Sequence, residues 1–213
     1  MLGNSHSLSF FIYICMKKYT KPTSQQTKGE VRIIAGRWRG RKLPVLNSQG
    51  LRPTGDRVKE TLFNWLMPYI EDSCCLDCFA GSGSLGFESL SRGAKQVTFV
   101  ELDKTVINQL KQNLISLKCD EKQADVINQN SLEWLKKAQK TPRFDVIFLD
   151  PPFHFGLVER TIALLAQNNW LEQDALIYIE TEKDKPLNIP ENWVLLKQKI
   201  TGQVCYRLYQ KIN

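Results

Sequence analysis

Residues 74–86, CCLDCFAGSGSLG, decide the fold of this chain. A short apolar run ends at Asp77 and is followed by glycines in the spacing GxGxxG, which forms the tight turn of a nucleotide-binding strand–helix unit. A second apolar run, QVTFV, ends at Glu101, 20 residues beyond the first of these glycines, where a carboxylate can accept hydrogen bonds from ribose hydroxyls. The three glycines are Gly81, Gly83 and Gly86. The stretch predicts a parallel α/β sheet that binds an adenosine-type ligand at the carboxyl ends of its strands.

The remainder of the chain repeats this alternation of strands and helices. Strands are predicted at residues 74–80, 96–102, 125–130, 144–149 and 175–180, and helices at residues 84–92, 104–118, 131–139 and 156–167. Two last strands, at residues 193–199 and 203–210, have no helix between them, which is typical of an antiparallel hairpin. The predicted fold is Rossmann-like α/β, with a mostly parallel seven-stranded sheet, helices on both faces and a C-terminal antiparallel hairpin.

Basic residues concentrate near the start of the chain. Residues 1–60 hold 12 Lys and Arg against 3 Asp and Glu, whereas residues 61–213 hold 17 against 19. The stretch VRIIAGRWRGRKLPV, residues 31–45, alternates apolar and polar residues and predicts a basic β-hairpin or arm. A basic arm on a near-neutral globule indicates a polyanionic partner, most often nucleic acid.

The chain divides into three parts on this basis. Residues 1–30 are predicted to be a disordered extension, residues 31–53 the basic arm, and residues 54–213 the ligand-binding domain. The domain begins with TGDRVKETLFNWL, an amphipathic helix for which Thr54 or Asp56 is the expected N-cap.

Cysteine and histidine usage argues against a disulfide scaffold and against a metal site. The pair Cys75 and Cys78 has CxxC spacing, but in a strand these side chains point to opposite faces. The six cysteines are therefore expected to be thiols in the cytoplasm. The apolar residues 8–15 are too few to cross a bilayer and lack the flanks of a signal peptide, so no membrane association is predicted.

The stretch FLDPPF, residues 148–153, ends the fourth strand, so Asp150 is expected to project into the same cleft as the glycine loop. Two prolines hold the backbone extended and remove two N–H donors, which leaves the Asp150 carboxylate and the Pro151 carbonyl as a rigid pair of acceptors. Such a pair can accept both N–H groups of an exocyclic base amine and aim its lone pair at an electrophilic methyl group. Phe153 offers a ring on which the base can stack. The predicted catalytic residues are Asp150, Pro151, Pro152 and Phe153.

The ligand of the glycine loop fits S-adenosylmethionine (AdoMet) better than NAD. Asp77 stands just before the loop, where a carboxylate repels a pyrophosphate but suits a cationic ammonium group. No second domain remains to hold a hydride acceptor. The loop alone leaves NAD open, although a dehydrogenase would leave the Asp-Pro-Pro-Phe stretch unexplained.

The stretches LDCFAGSGSLGFESLSRGA, FVELD and FLDPPF together resemble the AdoMet-binding and amino-methyltransferase motifs of class I methyltransferases. The block from GRWRGRKLPV to LRPTGDRVKETLFNWL, residues 36–66, and the ending GQVCYRLYQ, residues 202–210, resemble more narrowly the RsmD family. The resemblance implies transfer of a methyl group to the N2 amine of a guanine in 16S ribosomal RNA, at the guanine(966) site of that family. It also implies small-subunit rRNA or an assembling small subunit as the partner, and a cytoplasmic monomer.

The resemblance assigns residues to two sets. The cofactor-binding set is Thr54, Asp77, Phe79, Ala80, Gly81, Ser82, Gly83, Glu101, Leu102, Asn130, Ser131 and Asp150. The RNA-binding set is Arg32, Arg37, Trp38, Arg39, Arg41, Lys42, Arg52, Arg57 and Lys59. Glu101 is expected to hold the ribose, and Asn130, where many methyltransferases carry Asp, to contact the adenine edge.

Two further alternatives stay open. A DNA N6-adenine methyltransferase uses the same Asp-Pro-Pro-Phe stretch, although the short loop after Phe153 leaves little room for a target-recognition insertion. A catalytically silent RNA-binding factor for ribosome assembly could retain the same sheet. The role of His154, one residue beyond the stacking ring, is also open.

Overall fold

A computed structural model describes residues 28–46, 55–137 and 144–213 of the chain. Two short antiparallel strands come first, β1 (Lys28–Arg32) and β2 (Lys42–Leu46), and we call residues 28–46 the basic hairpin. The predicted disordered extension falls almost entirely outside the described residues, as do Arg52 and Thr54.

Seven strands form the main sheet. They are β3 (Cys74–Asp77), β4 (Gln96–Glu101), β5 (Ala124–Asn128), β6 (Phe144–Leu149), β7 (Leu171–Glu182), β8 (Trp193–Thr201) and β9 (Val204–Lys211). Their order is β5-β4-β3-β6-β7-β9-β8, in which β3 to β7 run parallel and β9 is antiparallel to both of its neighbours. The predicted sheet and its closing hairpin are confirmed. The order reverses between β4 and β6 around β3, which creates the crevice where ligands of such sheets bind.

Within the described residues, five helices cover the sheet. They are α1 (Asp56–Leu66), α2 (Ser84–Ser91), α3 (Lys104–Ser116), α4 (Ser131–Leu135) and α5 (Leu157–Gln167), and a 3₁₀ turn at Glu121–Gln123 precedes β5. Strands β3, β4 and β6 are mostly apolar because both of their faces are buried, whereas β5 at the edge of the sheet is partly exposed. One hydrophobic cluster unites α1, α2, α3 and the basic hairpin against one face, and a second unites α4 and α5 against the other.

Several element boundaries differ from the predictions. Strand β7 begins at Leu171, not Ala175, because Phe144 pairs with Leu171 before an irregularity in the ladder with β6. Asp56 is the first residue of α1 and not its N-cap, which is Gly55; among the described residues no side chain caps this helix.

Cys75 and Cys78 lie in the two opposite hydrophobic clusters, as expected for alternate faces of the sheet. Both are free thiols, and burial raises the pKa of Cys75 to about 12. None of the helices in the described parts of the chain is long and apolar enough to cross a membrane.

Candidate active site and cofactor cleft

Four carboxylates stand at the carboxyl ends of neighbouring parallel strands, an edge that we call the carboxyl edge. Each lies two residues beyond a side chain of the hydrophobic cluster that packs against α1, α2 and α3. Because successive side chains of a strand point to opposite faces of the sheet, all four carboxylates lie on the same face. The four are Asp77 at the end of β3, Glu101 at the end of β4, Asp150 after β6 and Glu180 near the end of β7. Three were predicted from the sequence, and Glu180 was not.

Glu101 is held in place by three backbone N–H groups. Its Oε2 accepts from Gly81 at 2.9 Å, and its Oε1 accepts from Leu102 at 2.8 Å and from Asp103 at 2.9 Å. These bonds tie the glycine loop to the end of β4 and fix the orientation of the carboxylate. A fixed carboxylate at this point can accept hydrogen bonds from the two hydroxyls of a ribose.

The glycine loop owes its shape to two residues. Gly83 adopts φ 73°, a left-handed conformation that glycine enters without steric cost, and it precedes the first residue of α2. At Gly86 an added Cβ would lie 2.1 Å from the ring of Phe99, so this glycine permits close packing of α2 on β4. The third glycine of the pattern therefore serves the contact between helix and strand.

Asp77 is almost completely buried, with 4% of its surface exposed. Burial, and secondly the neighbouring Asp150, raises the pKa of Asp77 to about 7, while hydrogen bonds from the backbone of Gly86 and Phe79 act in the opposite direction. A buried carboxylate of this kind stabilises a nearby cation strongly, because little solvent screens the pair. The site therefore fits the α-ammonium group of an amino acid.

Asp150 follows β6 directly and is half-buried. Pro151 is buried, Pro152 is exposed and Phe153 is half-buried, so part of Phe153 is accessible from solvent. The backbone of Cys78 donates to the Phe148 carbonyl at 3.1 Å, which joins the ends of β3 and β6. The structure thus brings the predicted catalytic stretch beside the predicted cofactor loop.

Glu180 lies beside Asp150 on the next strand. It is 7% exposed, and its Oε1 accepts a hydrogen bond from the Tyr178 hydroxyl at 2.7 Å. Burial, and secondly Asp150, raises the pKa of Glu180 to about 8. In the sequence this residue looks like the ordinary end of the strand ALIYIE, and only the pairing of β6 with β7 shows its place in the site.

Asn130 and Ser131 stand at the end of the cleft near β5. The side chain of Asn130 caps α4 by accepting from the backbone of Glu133 at 3.2 Å, and Ser131 donates to the carbonyl of Cys78. Both side chains therefore have structural partners, and the predicted contact with adenine remains a prediction.

His154 lies at the surface, beside Glu182. Its side chain is 84% exposed, and both its Nδ1 (3.1 Å) and its backbone N–H (3.0 Å) contact Glu182 Oε1. The residue has a left-handed φ of 69°, which this double contact stabilises. These contacts fix the turn that follows the predicted catalytic stretch.

The basic hairpin is fastened to α2 by buried polar contacts. Glu88, which is fully buried, accepts from the backbone of Ile34 at 2.8 Å and of Ala35 at 3.0 Å, and pairs with Arg92 at 2.7 Å. The hydroxyl of Ser91 donates to the Ala35 carbonyl at 2.5 Å. The sequence predicted a basic hairpin or arm; the segment is a hairpin, and these contacts make it a fixed part of the domain surface.

Lys59 does not lie on the predicted RNA surface. Only 1% of it is exposed, and its Nζ donates to the Arg32 carbonyl at 2.5 Å and to Ser84 Oγ at 3.2 Å, with Glu88 at 3.9 Å. Burial lowers its pKa. The prediction of a phosphate contact for Lys59 is wrong, because the ammonium group is used inside the protein to hold the end of β1.

The other basic side chains of the described part of the RNA set are accessible. Those exposed are Arg32, Arg37, Arg39, Arg41, Lys42 and Arg57. The guanidinium carbon of Arg37 lies 4.1 Å from the centre of the Trp38 ring, which is itself half-buried against the first cluster. One face of the Trp38 ring is therefore already covered.

Within the described residues, no group of three or more histidine, cysteine or acidic side chains is arranged to hold a metal ion.

Comparison with known proteins gives a consistent family assignment. The model of a family described as conserved hypothetical protein 95 matches residues 31–210. A relative from Haemophilus influenzae, named ribosomal RNA small subunit methyltransferase D, is 73% identical over 195 residues, which is 92% of this chain and 100% of the relative. A protein of the same name from Escherichia coli is 53% identical over 192 residues, which is 90% of this chain and 95% of the relative. The crystal structure of a putative methylase from Haemophilus influenzae superposes with a TM-score of 0.78 at 69% identity and covers 87% of this chain and 100% of its own.

Proposed function

The chain belongs to the family of the small-subunit ribosomal RNA methyltransferases D, and we propose that it transfers a methyl group from AdoMet to the N2 amine of a guanine in 16S rRNA. One observation carries the proposal: Asp77, Glu101 and Asp150 meet on one face of the carboxyl edge. The names of the relatives support methylation of small-subunit rRNA. The choice of guanine N2, and of the guanine(966) site, follows from the family resemblance.

The cofactor is held by groups at the ends of β3 and β4. Asp77 pairs with the ammonium group, Glu101 accepts from the ribose hydroxyls, and the glycine loop at residues 81–83 lies against the chain of the amino acid. When bound, AdoMet supplies a methyl group on a cationic sulfonium.

The target amine is oriented by acceptors alone. Asp150 and the Pro151 carbonyl accept its two N–H groups, which draws the nitrogen lone pair out of the ring and toward the methyl carbon. When the new N–C bond forms, the S–C bond of the methyl donor would break and leave its electron pair on sulfur, with S-adenosylhomocysteine as the leaving group. The Asp150 carboxylate would stabilise the positive charge on the nitrogen and take the proton that the nitrogen loses. Stacking on Phe153 holds the extruded base, worth about 1–3 kcal/mol.

The RNA reaches this site across the basic hairpin. The exposed arginines of the hairpin supply phosphate contacts, and the fixed attachment through Glu88 keeps them at a constant position relative to the cleft. An unpaired guanine costs less to extrude than a paired one, so a loop nucleotide is the expected target.

The decisive experiment compares Asp150→Ala with Asp145→Asn, a control at the opposite end of the same strand. Asp150→Ala should lower the rate of methyl transfer by about 10²-fold or more and leave the affinity for AdoMet within a few-fold. The control should retain both. Loss of AdoMet affinity in Asp150→Ala would instead assign this carboxylate to the cofactor.

The product is identified with labelled AdoMet and three substrates: unmodified small subunits, naked small-subunit rRNA and duplex DNA. Label recovered in N2-methylguanosine supports the proposal and shows which state of assembly is preferred. Label in N6-methyladenine of DNA would replace it with the DNA methyltransferase alternative. Absence of label from all three, with AdoMet still bound, would favour a binding protein.

A further inference from the structure

We propose that Glu180 selects guanine over other bases by accepting the N1–H group that adjoins the N2 amine. The inference rests on the proposed function and deepens it, because it names a specificity-determining residue outside the Asp-Pro-Pro-Phe stretch.

Strand pairing places Glu180 next to Asp150. In the parallel ladder Phe148 pairs with Tyr178 and Leu149 with Ile179, so the following position on each strand brings Asp150 beside Glu180. Neighbouring strands lie about 4.8 Å apart. Both carboxyl groups are on the face of the sheet that carries the cofactor cleft, so a base amine held by Asp150 has Glu180 at its side.

The carboxyl group of Glu180 is fixed in this position. The Tyr178 hydroxyl donates to its Oε1 at 2.7 Å, and Tyr178 is itself fully buried, with its ring 6.5 Å from that of Tyr206 on β9. Because the side chain of Glu180 is already ordered in the free protein, substrate binding does not have to offset the entropy of ordering it, and this favours affinity.

A glutamate at position 180 is energetically unfavourable if its role is only structural. The preceding residues of the strand, ALIYI, are buried and mostly apolar, and a carboxyl group among them loses its solvation without a cation beside it in the described part of the chain. The loss of solvation is the main reason why the pKa of Glu180 is raised. An N1–H donor would offset part of it, because it stabilises the ionised carboxylate.

Base chemistry identifies the ligand. On its Watson–Crick edge guanine presents the N2 amine and N1–H as adjacent donors, whereas on that edge the amines of adenine and cytosine adjoin a ring nitrogen that is an acceptor. Two adjacent carboxyl groups complement the first arrangement and repel the second. A site that hydrogen-bonds a substrate N–H discriminates strongly against an analogue that lacks it, because its own buried group is left unpaired.

The test pairs a change in the protein with a change in the base. After the methylated position is mapped, RNA is prepared with either guanine or 2-aminopurine there; 2-aminopurine keeps the 2-amine but has no N1–H. Wild-type enzyme should prefer guanine in kcat/KM by about tenfold or more. Glu180→Met should show a preference within about threefold, and Glu180→Gln, whose carbonyl can still accept, should restore part of it.

The outcomes separate the inference from the function on which it rests. Equal use of both bases by wild-type enzyme, or an undiminished preference in Glu180→Met, would overturn the inference while the methyltransferase assignment stands. Failure of wild-type enzyme to form N2-methylguanosine would overturn both. Because Glu180→Met leaves the Tyr178 hydroxyl without its acceptor, the double variant with Tyr178→Phe is measured as well, with thermal unfolding and AdoMet affinity as checks on folding.

Discussion

Replacing Asp77 with asparagine should stabilise the free protein and weaken AdoMet binding at the same time. In the folded protein the pKa of Asp77 is about 7, against 3.8 for an ordinary aspartate. Between those values the folded protein keeps a proton that the unfolded chain has lost, so the penalty for the buried carboxylate grows as pH rises from about 4 and is complete above about 7. At 1.36 kcal/mol per pKa unit, the penalty is about 4 kcal/mol at pH 8 and about 2 kcal/mol at pH 5.

Asparagine cannot ionise, so Asp77→Asn should recover most of this free energy. Urea unfolding at the two pH values measures the gain, which should be larger at pH 8 by about 2–3 kcal/mol. Asp184→Asn, in an exposed turn, is the matched control and should change stability by less than about 0.5 kcal/mol. Calorimetric titration with AdoMet should show a loss of about tenfold or more, because a charged hydrogen bond contributes about 1.5–3 kcal/mol.

Two results would refute this reasoning in different places. An equal gain in stability at both pH values would show that Asp77 is not the titrating group. A gain in stability without loss of AdoMet affinity would show that the carboxylate does not hold the ammonium group.

The basic hairpin yields two further predictions. Reversing Arg39 and Arg41 to glutamate should weaken RNA binding and reduce the slope of log affinity against log salt by about 1 for each phosphate that the protein no longer neutralises; an unchanged slope in filter binding would place the RNA elsewhere. Glu88→Gln leaves Lys59 buried without its counter-charge, so it should lower the free energy of unfolding by about 3–5 kcal/mol. Glu133→Gln, which removes the charge from an exposed pair, should cost less than about 1 kcal/mol. If chemical denaturation finds the two costs equal, Glu88 does not anchor the hairpin as described.

The sequence by itself determined the architecture and most of the cleft. Apolar runs that alternate with amphipathic segments predict a parallel sheet, and in such a sheet the residue after each strand must lie at the same edge. Asp77, Glu101 and Asp150 could therefore be placed together without coordinates. The glycine loop and the two prolines lie within a few residues of these carboxylates in the chain, so they can be recognised from the sequence.

Only the tertiary structure decided which polar residues belong to the interior and which to the site. Glu180 reads as an ordinary strand end until the register of β6 and β7 sets it beside Asp150. From the sequence, Lys59 looks like another exposed basic residue of a basic segment. In the structure it is buried, because Glu88, 29 residues further along, and the Arg32 carbonyl lie beside its ammonium group. A charged side chain is buried only where partners from distant parts of the chain stabilise it. A local sequence pattern does not show which partners the fold brings together.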